Sequence, residues 1–498
     1  MCVLGVMTVK VKYGEYVNTH ELYVVEGNGP SLLGHAWLET LRLDWQSLRV
    51  NSVTGSAPES LESVLRKHEE VFSSEPGTMK EFEAKLTVRP GTKPRFCRPR
   101  PVPYALQGAV ERELDRLERN GVVERVSHSD WAAPIVPVPK PDGNVRICGD
   151  YKVTVNSALD VDQYPLPRPA DLMASQTGGQ KFSKIDLTSA YQQMALEEES
   201  RQYVTINTHR GLYRFTRLPF GIASAPALFQ KAMDSILQGV PNTICYIDDI
   251  LVTGRSDKEH LKNLEEVLSR LRRYGLRLKK NKCAFMQNAV EYLGHRIDAH
   301  GVHAAPSKVE AIQHAPTPRN VTELRSFLGM INYYGKFIPN LSSLCHPLNN
   351  LLRAGQKWRW TKQCAKAFDQ AKEKLSKAEV LAHYDPRLPI RLAGDASSYG
   401  IRAVLSNVLA DGIERPVAYA SRTLLSNEQH YAQVEKEALS LIFGVQKFYQ
   451  YIYGREFTLV TDHRPLTTIF GRHSQQRGYR GGHCCCLHSA TRLSSDQP

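Results

Sequence analysis

The spacing of apolar and polar positions changes character several times along the chain. Residues 1–50 alternate in short runs (VMTVKVKY, HELYVVEG), the period-two pattern of half-buried strands, and close on SLLGHAWLETLRLDW. A polar, proline-bearing linker over 51–94 leads into the basic stretch KPRFCRPRPVP, where repeated prolines exclude helix and favour an extended path. Regular periodicity then begins. In QGAVERELDRLERNG, Val110, Leu114 and Leu117 share one helical face and Gly121 marks the exit. APIVPVPKPDGNVRICGDYK predicts two strands joined at Asp142–Gly143, a strong hairpin signal.

Further on, KFSKIDL predicts a strand and SAYQQM a helix after it. LFQKAMDSILQ sets Leu228, Phe229, Ala232, Met233, Ile236 and Leu237 at helical spacing. The best-defined helix starts at Ser256, which with Glu259 reads as a capping box; it carries Leu261, Leu264, Val267, Leu268 and Leu271 and ends at Gly275. Helical patterns dominate 302–386, and strand patterns return from 389 in PIRLAGD, GIRAVLSNV and RPVAYASR. A helix (VEKEALSLIFGVQKFYQYI) and a strand (FTLVTD) follow. Beyond about residue 474 periodicity vanishes, so residues 475–498 are expected to be disordered.

At 498 residues the chain has room for about three domains, taking ~150 residues for each. Lys and Arg outnumber Asp and Glu by 64 to 51, a net +13 that favours a polyanionic partner. Cys2, Cys97, Cys148, Cys245, Cys283, Cys345 and Cys364 are scattered singly without a CxxC, which suits a reducing compartment. Cys484–Cys486, beside His483 and His488, are consecutive and cannot readily converge on one tetrahedral ion, so no zinc site is expected. The chain has no run of ~18 apolar residues, and its opening MCVLGVMTVK lacks the basic flank of a signal peptide. Membrane and secreted classes are therefore not expected.

The chemistry is signalled by CYIDDILV, residues 245–252, where Asp248 and Asp249 interrupt an apolar run. Two adjacent carboxylates repel each other and resist desolvation, so something cationic is expected beside them. Their apolar flanks predict a tight hairpin with the acids at its tip, and Asp186 ends another apolar strand. Carboxylates gathered from neighbouring strands suit a pair of Mg2+ ions, which take hard oxygen ligands and clamp the attacking and leaving oxygens of phosphoryl transfer.

YIDDILV, LPFGIASAPALFQ, DLTSAYQQM, RICGDYK and VEYLGH, in order and spacing, resemble the polymerase region of gypsy-class LTR retrotransposon Pol polyproteins, relatives of retroviral reverse transcriptase. The resemblance runs from about residue 95 to 470. It implies an α+β, right-hand (fingers-palm-thumb) polymerase with a connection region, followed by a truncated RNase H-like α/β domain. Fingers and palm would span 95–300, thumb and connection 301–386, and the RNase H-like part 387–474. Asp186, Asp248 and Asp249 match the metal-binding triad, and Tyr191 the aromatic that excludes a ribose 2′-hydroxyl; a core aromatic is the plainer alternative at Tyr191. Lys140 and Arg146, flanking the hairpin, match the residues that neutralise an incoming triphosphate. Phe220 and Gly221 match the loop under the nucleotide, and Leu293 and Gly294 the primer grip. The implied cofactor is Mg2+, two per active site, with Mn2+ as an alternative. The implied partners are an RNA template, a DNA or tRNA primer, RNA–DNA hybrid and dNTPs, in a cytoplasmic particle or the nucleus. An inactive relic or co-opted nucleic-acid binder is the alternative function.

Asp395, Glu437 and Asp462 resemble the first three carboxylates of the family's RNase H site, which cuts RNA in a hybrid; a fourth acidic segment has no counterpart here. Arg402 stands where the family carries glycine. The text after His473 resembles translation in another frame, and losing an outer strand would leave the LVTD strand as an exposed edge. RNase H activity is accordingly expected to be weak or absent. SLLGHAWL resembles the end of a retropepsin domain with His35 and Ala36 in place of Arg-Asp, and no Asp-Thr-Gly or Asp-Ser-Gly occurs, so residues 1–50 are expected to be a protease remnant.

Overall fold

Alternation at the N-terminus does give strands. In the computed structural model, which describes residues 3–13, 16–25, 60–141, 143–174, 176–353, 355–470 and 491–494, β1 (Val3–Tyr13) and β2 (Tyr16–Val25) form an antiparallel hairpin with Tyr13 opposite Tyr16. They lie in the first of two units, Met1–Ala57; the second is Pro58–Pro498. The SLLGHAWL segment, with His35 and Ala36, lies outside the described residues.

The second unit contains, in chain order, α1 (Tyr104–Arg119), β3 (Val123–Val126), β4 (Ala133–Pro139), β5 (Val145–Gly149) and β6 (Lys181–Asp186). After these come β7 (Thr205–Thr208), β8 (Gly211–Phe215), α2 (Ala225–Leu237), β9 (Thr243–Tyr246), β10 (Asp249–Gly254) and α3 (Asp257–Arg273). One five-stranded sheet has the order β3-β8-β7-β4-β5. Next to the paired strands β9-β10-β6 runs β11 (Ala284–Gln287), which completes a four-stranded antiparallel sheet. Alternating apolar residues of these sheets and the inner faces of α1, α2 and α3 make one continuous core, with Leu114, Ile135, Ile185, Phe229, Ile250 and Leu268 each 2% exposed or less.

Three short strands, β12 (Ala289–Tyr292), β13 (His295–Asp298) and β14 (Gly301–Ala304), form a meander. It packs with α4 (Val321–Tyr333) and α5 (Lys362–Ser376) in a second core around Tyr292, Phe327, Ile331 and Phe368. The third core belongs to the last sheet. Its strands are β15 (Ile390–Ala396), β16 (Gly400–Val408), β17 (Glu414–Thr423), β18 (Phe457–Val460) and β19 (Thr491–Ser494), in the order β17-β16-β15-β18-β19, with α6 (Gln433–Lys447) across one face.

Four expectations change. Residues 60–94 are not a linker: Val64, Val71, Met79, Ala84 and Leu86 are buried in the first core, and Glu83–Ala84 pair in parallel with Ala195–Leu196. Short periods are present, helical in Leu61–Lys67 behind the Ser60 cap and alternating at Phe82, Ala84, Leu86 and Val88, but the charged and proline-bearing residues around them read as a linker. SAYQQM forms only a short 3-10 turn, Ala190–Gln193, because Ser189 takes the left-handed conformation at φ +48° and interrupts any helix there. The Ser256 cap holds, with Ser256 Oγ accepting the Glu259 N–H at 3.2 Å, but the Glu259 carboxylate returns to the N–H of Arg255 (2.9 Å), not that of Ser256. The tail is not wholly without structure: Thr491–Ser494 pair in parallel with Phe457–Val460, so the LVTD strand is not the sheet edge. An unpaired strand edge accepts any short extended segment within reach, whatever its periodicity. Residues 471–490, including the cysteine run, lie outside the described residues.

Placing 60–94 in the core has a measurable consequence. Ala84→Asp would bury an unpaired carboxylate at a fully enclosed position, a cost of several kcal/mol, so the thermal midpoint should fall by several degrees. Glu83→Ala, at the exposed neighbour, should leave it unchanged. Equal midpoints for the two variants would return the segment to linker status.

Candidate active sites

In the four-stranded sheet, like charges face each other. Strand register sets Asp186, the last residue of β6, directly opposite Asp249, the first of β10, and cross-strand partners hold their Cβ atoms about 5 Å apart on one face. Tyr246 pairs with Asp249, so the β9–β10 turn consists of Ile247 and Asp248 alone. Asp248 therefore occupies the tip and Asp249 the strand beside it.

That turn is costly. Ile247 sits at φ +56°, a left-handed conformation that a β-branched side chain resists by roughly 1–3 kcal/mol. The offsetting clamp is Gln230 of α2, which is fully buried. Its Oε1 accepts the Ile247 N–H (2.7 Å), while its Nε2 donates to the Cys245 carbonyl (3.0 Å) and to Asp234 Oδ1 (2.8 Å). From below, the Tyr292 hydroxyl donates to the Asp249 carbonyl at 3.1 Å. Two lysines partly balance the charge: Lys184 Nζ lies 3.2 Å from Asp249 Oδ1 and Lys282 Nζ 3.4 Å from Asp186 Oδ2.

Among the described residues Asp248 forms no ion pair, and the Lys282 charge only weakly offsets its surroundings. Although its side chain faces solvent at the hairpin tip, the protein mass around the cleft, then the Asp249 charge and more weakly Asp186, push its carboxyl above the usual carboxylate range. Uncompensated negative charge on hard oxygen donors fits divalent cations, and Asp186, Asp248 and Asp249 are the residues that would hold them. Two of the three are paired with lysines. Among the described residues, the one acidic trio whose ligand oxygens all lie within 4.8 Å of one another is elsewhere, at Asp395, Glu437 and Asp462.

Beside Asp248 the aromatic residues form a row. The Tyr191 ring centroid is 5.2 Å from that of Phe220 and 5.5 Å from that of Phe229. Burial first, then the charges of Asp248 and Tyr246, push the Tyr191 hydroxyl up to about 12, so it stays protonated and neutral. On the other side of Phe220, the Arg146 guanidinium lies 4.7 Å from the ring centroid, a cation–π contact that fixes the β5 side chain over the loop. Gly221 has φ +97°, and a Cβ there would come 3.0 Å from the Gly149 carbonyl. Asn156 braces the same loop, its Nδ2 donating to Gly221 O (2.8 Å) and its Oδ1 accepting the Ala223 N–H (3.0 Å). Lys140 stands apart, at the end of the β4–β5 hairpin, where its N–H donates to Asn144 O at 2.7 Å; Asp142 lies outside the described residues.

Leu293 and Gly294 make the β12–β13 turn with φ of +47° and +71°. Two positive φ values in a two-residue hairpin loop favour Asn-Gly, so leucine needs external support. It comes from α4 and the residue after it: the Tyr333 hydroxyl donates to Leu293 O (2.7 Å) and the Tyr334 hydroxyl to Gly294 O (2.9 Å). His295 adds a contact from Nδ1 to Leu293 O at 2.8 Å; burial and the Lys336 charge push its pKa down to about 4, leaving it neutral. The turn adjoins Tyr292, whose hydroxyl holds Asp249, so both hairpins share one brace.

The downstream trio uses parallel pairing. Ala393 of β15 pairs with Val460 of β18, so Asp395 and Asp462, each two residues further on, end level with each other. Glu437 comes from α6 above them and is 5% exposed. Gln433 donates to its Oε1 at 2.7 Å, while Oε2 is buried without a partner. Burial foremost, with Asp395 and Asp462, pushes the Glu437 carboxyl up. An orphaned buried carboxylate oxygen aimed among acids also fits a divalent cation. Arg402, directly opposite Asp395 in the β15–β16 register, forms an ion pair through Nε with Asp395 Oδ2.

Comparison with known families agrees with this division. Residues 138–297 match the reverse transcriptase (RNA-dependent DNA polymerase) family, and residues 360–459 the RNase H-like domain found in reverse transcriptase. The chain carries a reverse transcriptase domain followed by an RNase H-like domain. Its homologues are retrotransposon Pol polyproteins. It is 36% identical over 442 residues to the retrovirus-related Pol polyprotein from transposon opus of Drosophila melanogaster, covering 85% of this chain and 43% of that protein. It is 34% identical over 390 residues to the transposon Tf2-3 polyprotein of Schizosaccharomyces pombe, covering 78% of this chain and 29% of that one. The chain thus spans less than half of either relative. In fold, the foamy viral protease-reverse transcriptase in complex with double-stranded DNA is similar, with a TM-score of 0.78 at 22% identity over 99% of this chain and 90% of that one. The same enzyme with an RNA/DNA hybrid gives 0.74 at 22% identity over 99% and 70%.

Sequence reading missed the supports of the reverse transcriptase site: Gln230, Asn156, Lys184, Lys282 and the Tyr333–Tyr334 pair. Gln230 did leave a signal, as an amide on the apolar face of LFQKAM. Replacing it tests the clamp. Gln230→Leu would leave the Ile247 N–H and Cys245 carbonyl unpaired, at about 1–3 kcal/mol each; denaturant unfolding should show that loss, and wild-type stability would exclude the clamp.

The raised Asp248 pKa gives a pH signature. A carboxyl whose folded pKa exceeds its unfolded value (about 3.9) costs stability as pH rises through that window. In EDTA, Asp248→Asn should therefore melt above wild type at pH 7, with the difference gone at pH 3. A variant melting below wild type at pH 7 would contradict the assigned repulsion.

Proposed function

We propose that the chain is an RNA-directed DNA polymerase, extending a DNA or tRNA primer with dNTPs on an RNA template, with Mg2+ as its cation and Mn2+ as an alternative. The observation that carries this is the register that sets Asp186 opposite Asp249 with Asp248 at the tip, beside the row Tyr191–Phe220–Arg146. Divalent cations, when bound, supply the positive charge that makes a primer hydroxyl nucleophilic and stabilises the departing pyrophosphate. Holding them is the role of Asp186, Asp248 and Asp249.

The rest of the reaction is positioning. Arg146, held over the Phe220 ring, offers charge and planar donors to the triphosphate, and Lys140 adds a second charge from its hairpin. Tyr191 stands where a sugar 2′-hydroxyl would meet its ring, favouring deoxynucleotides by steric exclusion. The doubly left-handed Leu293–Gly294 turn presents backbone to the primer end, and the net charge of +13 supports a long, sequence-independent phosphate contact. Neighbours in fold are complexes with double-stranded DNA and with an RNA/DNA hybrid, which supports duplex partners here. We assign Asp395, Glu437 and Asp462 to hybrid cleavage, weak in this chain, and place the protein in a cytoplasmic particle or the nucleus.

Primer extension on an RNA template with Mg2+ tests the reading. Incorporation should fall by roughly 10²–10³ or more in Asp248→Asn, and Tyr191→Ala should raise ribonucleotide use roughly 10- to 100-fold relative to dNTPs. Template–primer binding with no incorporation by wild type would instead support a co-opted nucleic-acid binder.

A further inference from the structure

We propose that Arg402 is a resident cation of the downstream trio, setting how readily a divalent ion enters. The inference rests on the reading of Asp395, Glu437 and Asp462 as a metal-binding nuclease site. Three observations support it. The β15–β16 register puts Arg402 directly opposite Asp395, so both side chains leave the same face of the sheet about 5 Å apart. The guanidinium has closed that gap and bonds Oδ2 of Asp395, a carboxylate that belongs to the acidic trio. In the same trio, Glu437 Oε2 is buried without a hydrogen bond while its companion oxygen is held by Gln433. The trio is thus satisfied at one corner and open at another.

Chemistry makes this arrangement asymmetric. A guanidinium stays charged at every physiological pH, so unlike a lysine or histidine it cannot leave by losing its proton. It competes with a metal in two ways, by holding an oxygen of Asp395 and by repelling a doubly charged ion nearby. Arg402 is 46% exposed, so water weakens both effects without abolishing them. Coulomb attraction and repulsion at this range and exposure correspond to a loss of affinity on the order of ten- to hundredfold. Low nuclease activity would then follow from this one side chain.

Iron(II)-directed hydroxyl-radical cleavage of the full chain reads the two metal sites separately, because bound iron cuts the backbone beside its own ligands. The variants are Arg402→Thr, which keeps strand propensity at an exposed position, and Arg402→Lys, which keeps the charge. Cutting near Asp395 and Asp462, normalised to cutting near Asp186 and Asp248 in the same sample, should rise about tenfold or more in Arg402→Thr. It should rise little in Arg402→Lys and vanish when Asp395→Asn is added to Arg402→Thr. Equal cutting in wild type and Arg402→Thr would overturn the role of Arg402 while leaving the metal site standing. No cutting near Asp395 in any variant, with the other site cut normally, would overturn the metal-site reading itself and this inference with it.

Discussion

Everything at the reverse transcriptase site depends on one forced proximity. A sheet register that sets two carboxylates opposite each other, with a third on the adjoining turn, stores repulsion that the chain must counter by other means. It does so with neutral hydrogen bonds. Gln230 grips the chain on both sides of Tyr246, through the Cys245 carbonyl and the Ile247 N–H, and the Tyr292 hydroxyl holds the Asp249 carbonyl. These clamps come from α2 and β12, elements with full apolar cores, so the strain is carried by well-packed structure. Lys184 and Lys282 relieve some of the charge, and Asp248 is left with the excess.

The two acidic clusters answer the same problem differently. In the first, flexible ammonium groups sit beside Asp249 and Asp186, and the third acid is exposed to the cleft. In the second, one oxygen from each acid is already gathered within 4.8 Å, and a guanidinium is paired with one of the three carboxylates. The first site is spread and gains from being drawn together. The second is drawn together and already partly neutralised. The two clusters thus differ in how their negative charge is met, by separate lysines in one and by a guanidinium in the other.

Much of this was legible in the sequence because the signals are local. The period of α1, α2 and α3, the hairpin around Asp142–Gly143 and the apolar flanks of the Asp248–Asp249 pair all act over fewer than twenty residues, and each gave its element. The strand ending at Asp186 was visible for the same reason. What escaped was set by tertiary contact. Residues 60–94 carry only short periods, helical in Leu61–Lys67 and alternating over Phe82–Val88, set among charges and prolines, and the assembled core is what shows that Val71 and Ala84 belong to it. Ser189 breaks a helix that its neighbours favour, and Gln193 is buried against the carbonyls of Thr188 and Arg277, a long-range bond that no pattern announces. The four-residue β19 has too short a sequence to show a period, and the open edge of β18 pairs with its backbone regardless.

The central claim is that Asp186, Asp248 and Asp249 converge on a pair of divalent cations once template, primer and nucleotide are in place. Anomalous diffraction from the chain soaked with Mn2+, bound to a template with a dideoxy-terminated primer and the next dNTP, tests it most directly. The account expects two manganese peaks about 4 Å apart, with oxygens of Asp186 and Asp248 within ligand distance of both and Lys282 withdrawn from Asp186. A nucleotide seated against Arg146 with no manganese between the two strands, or with the metals held by other residues, would contradict it.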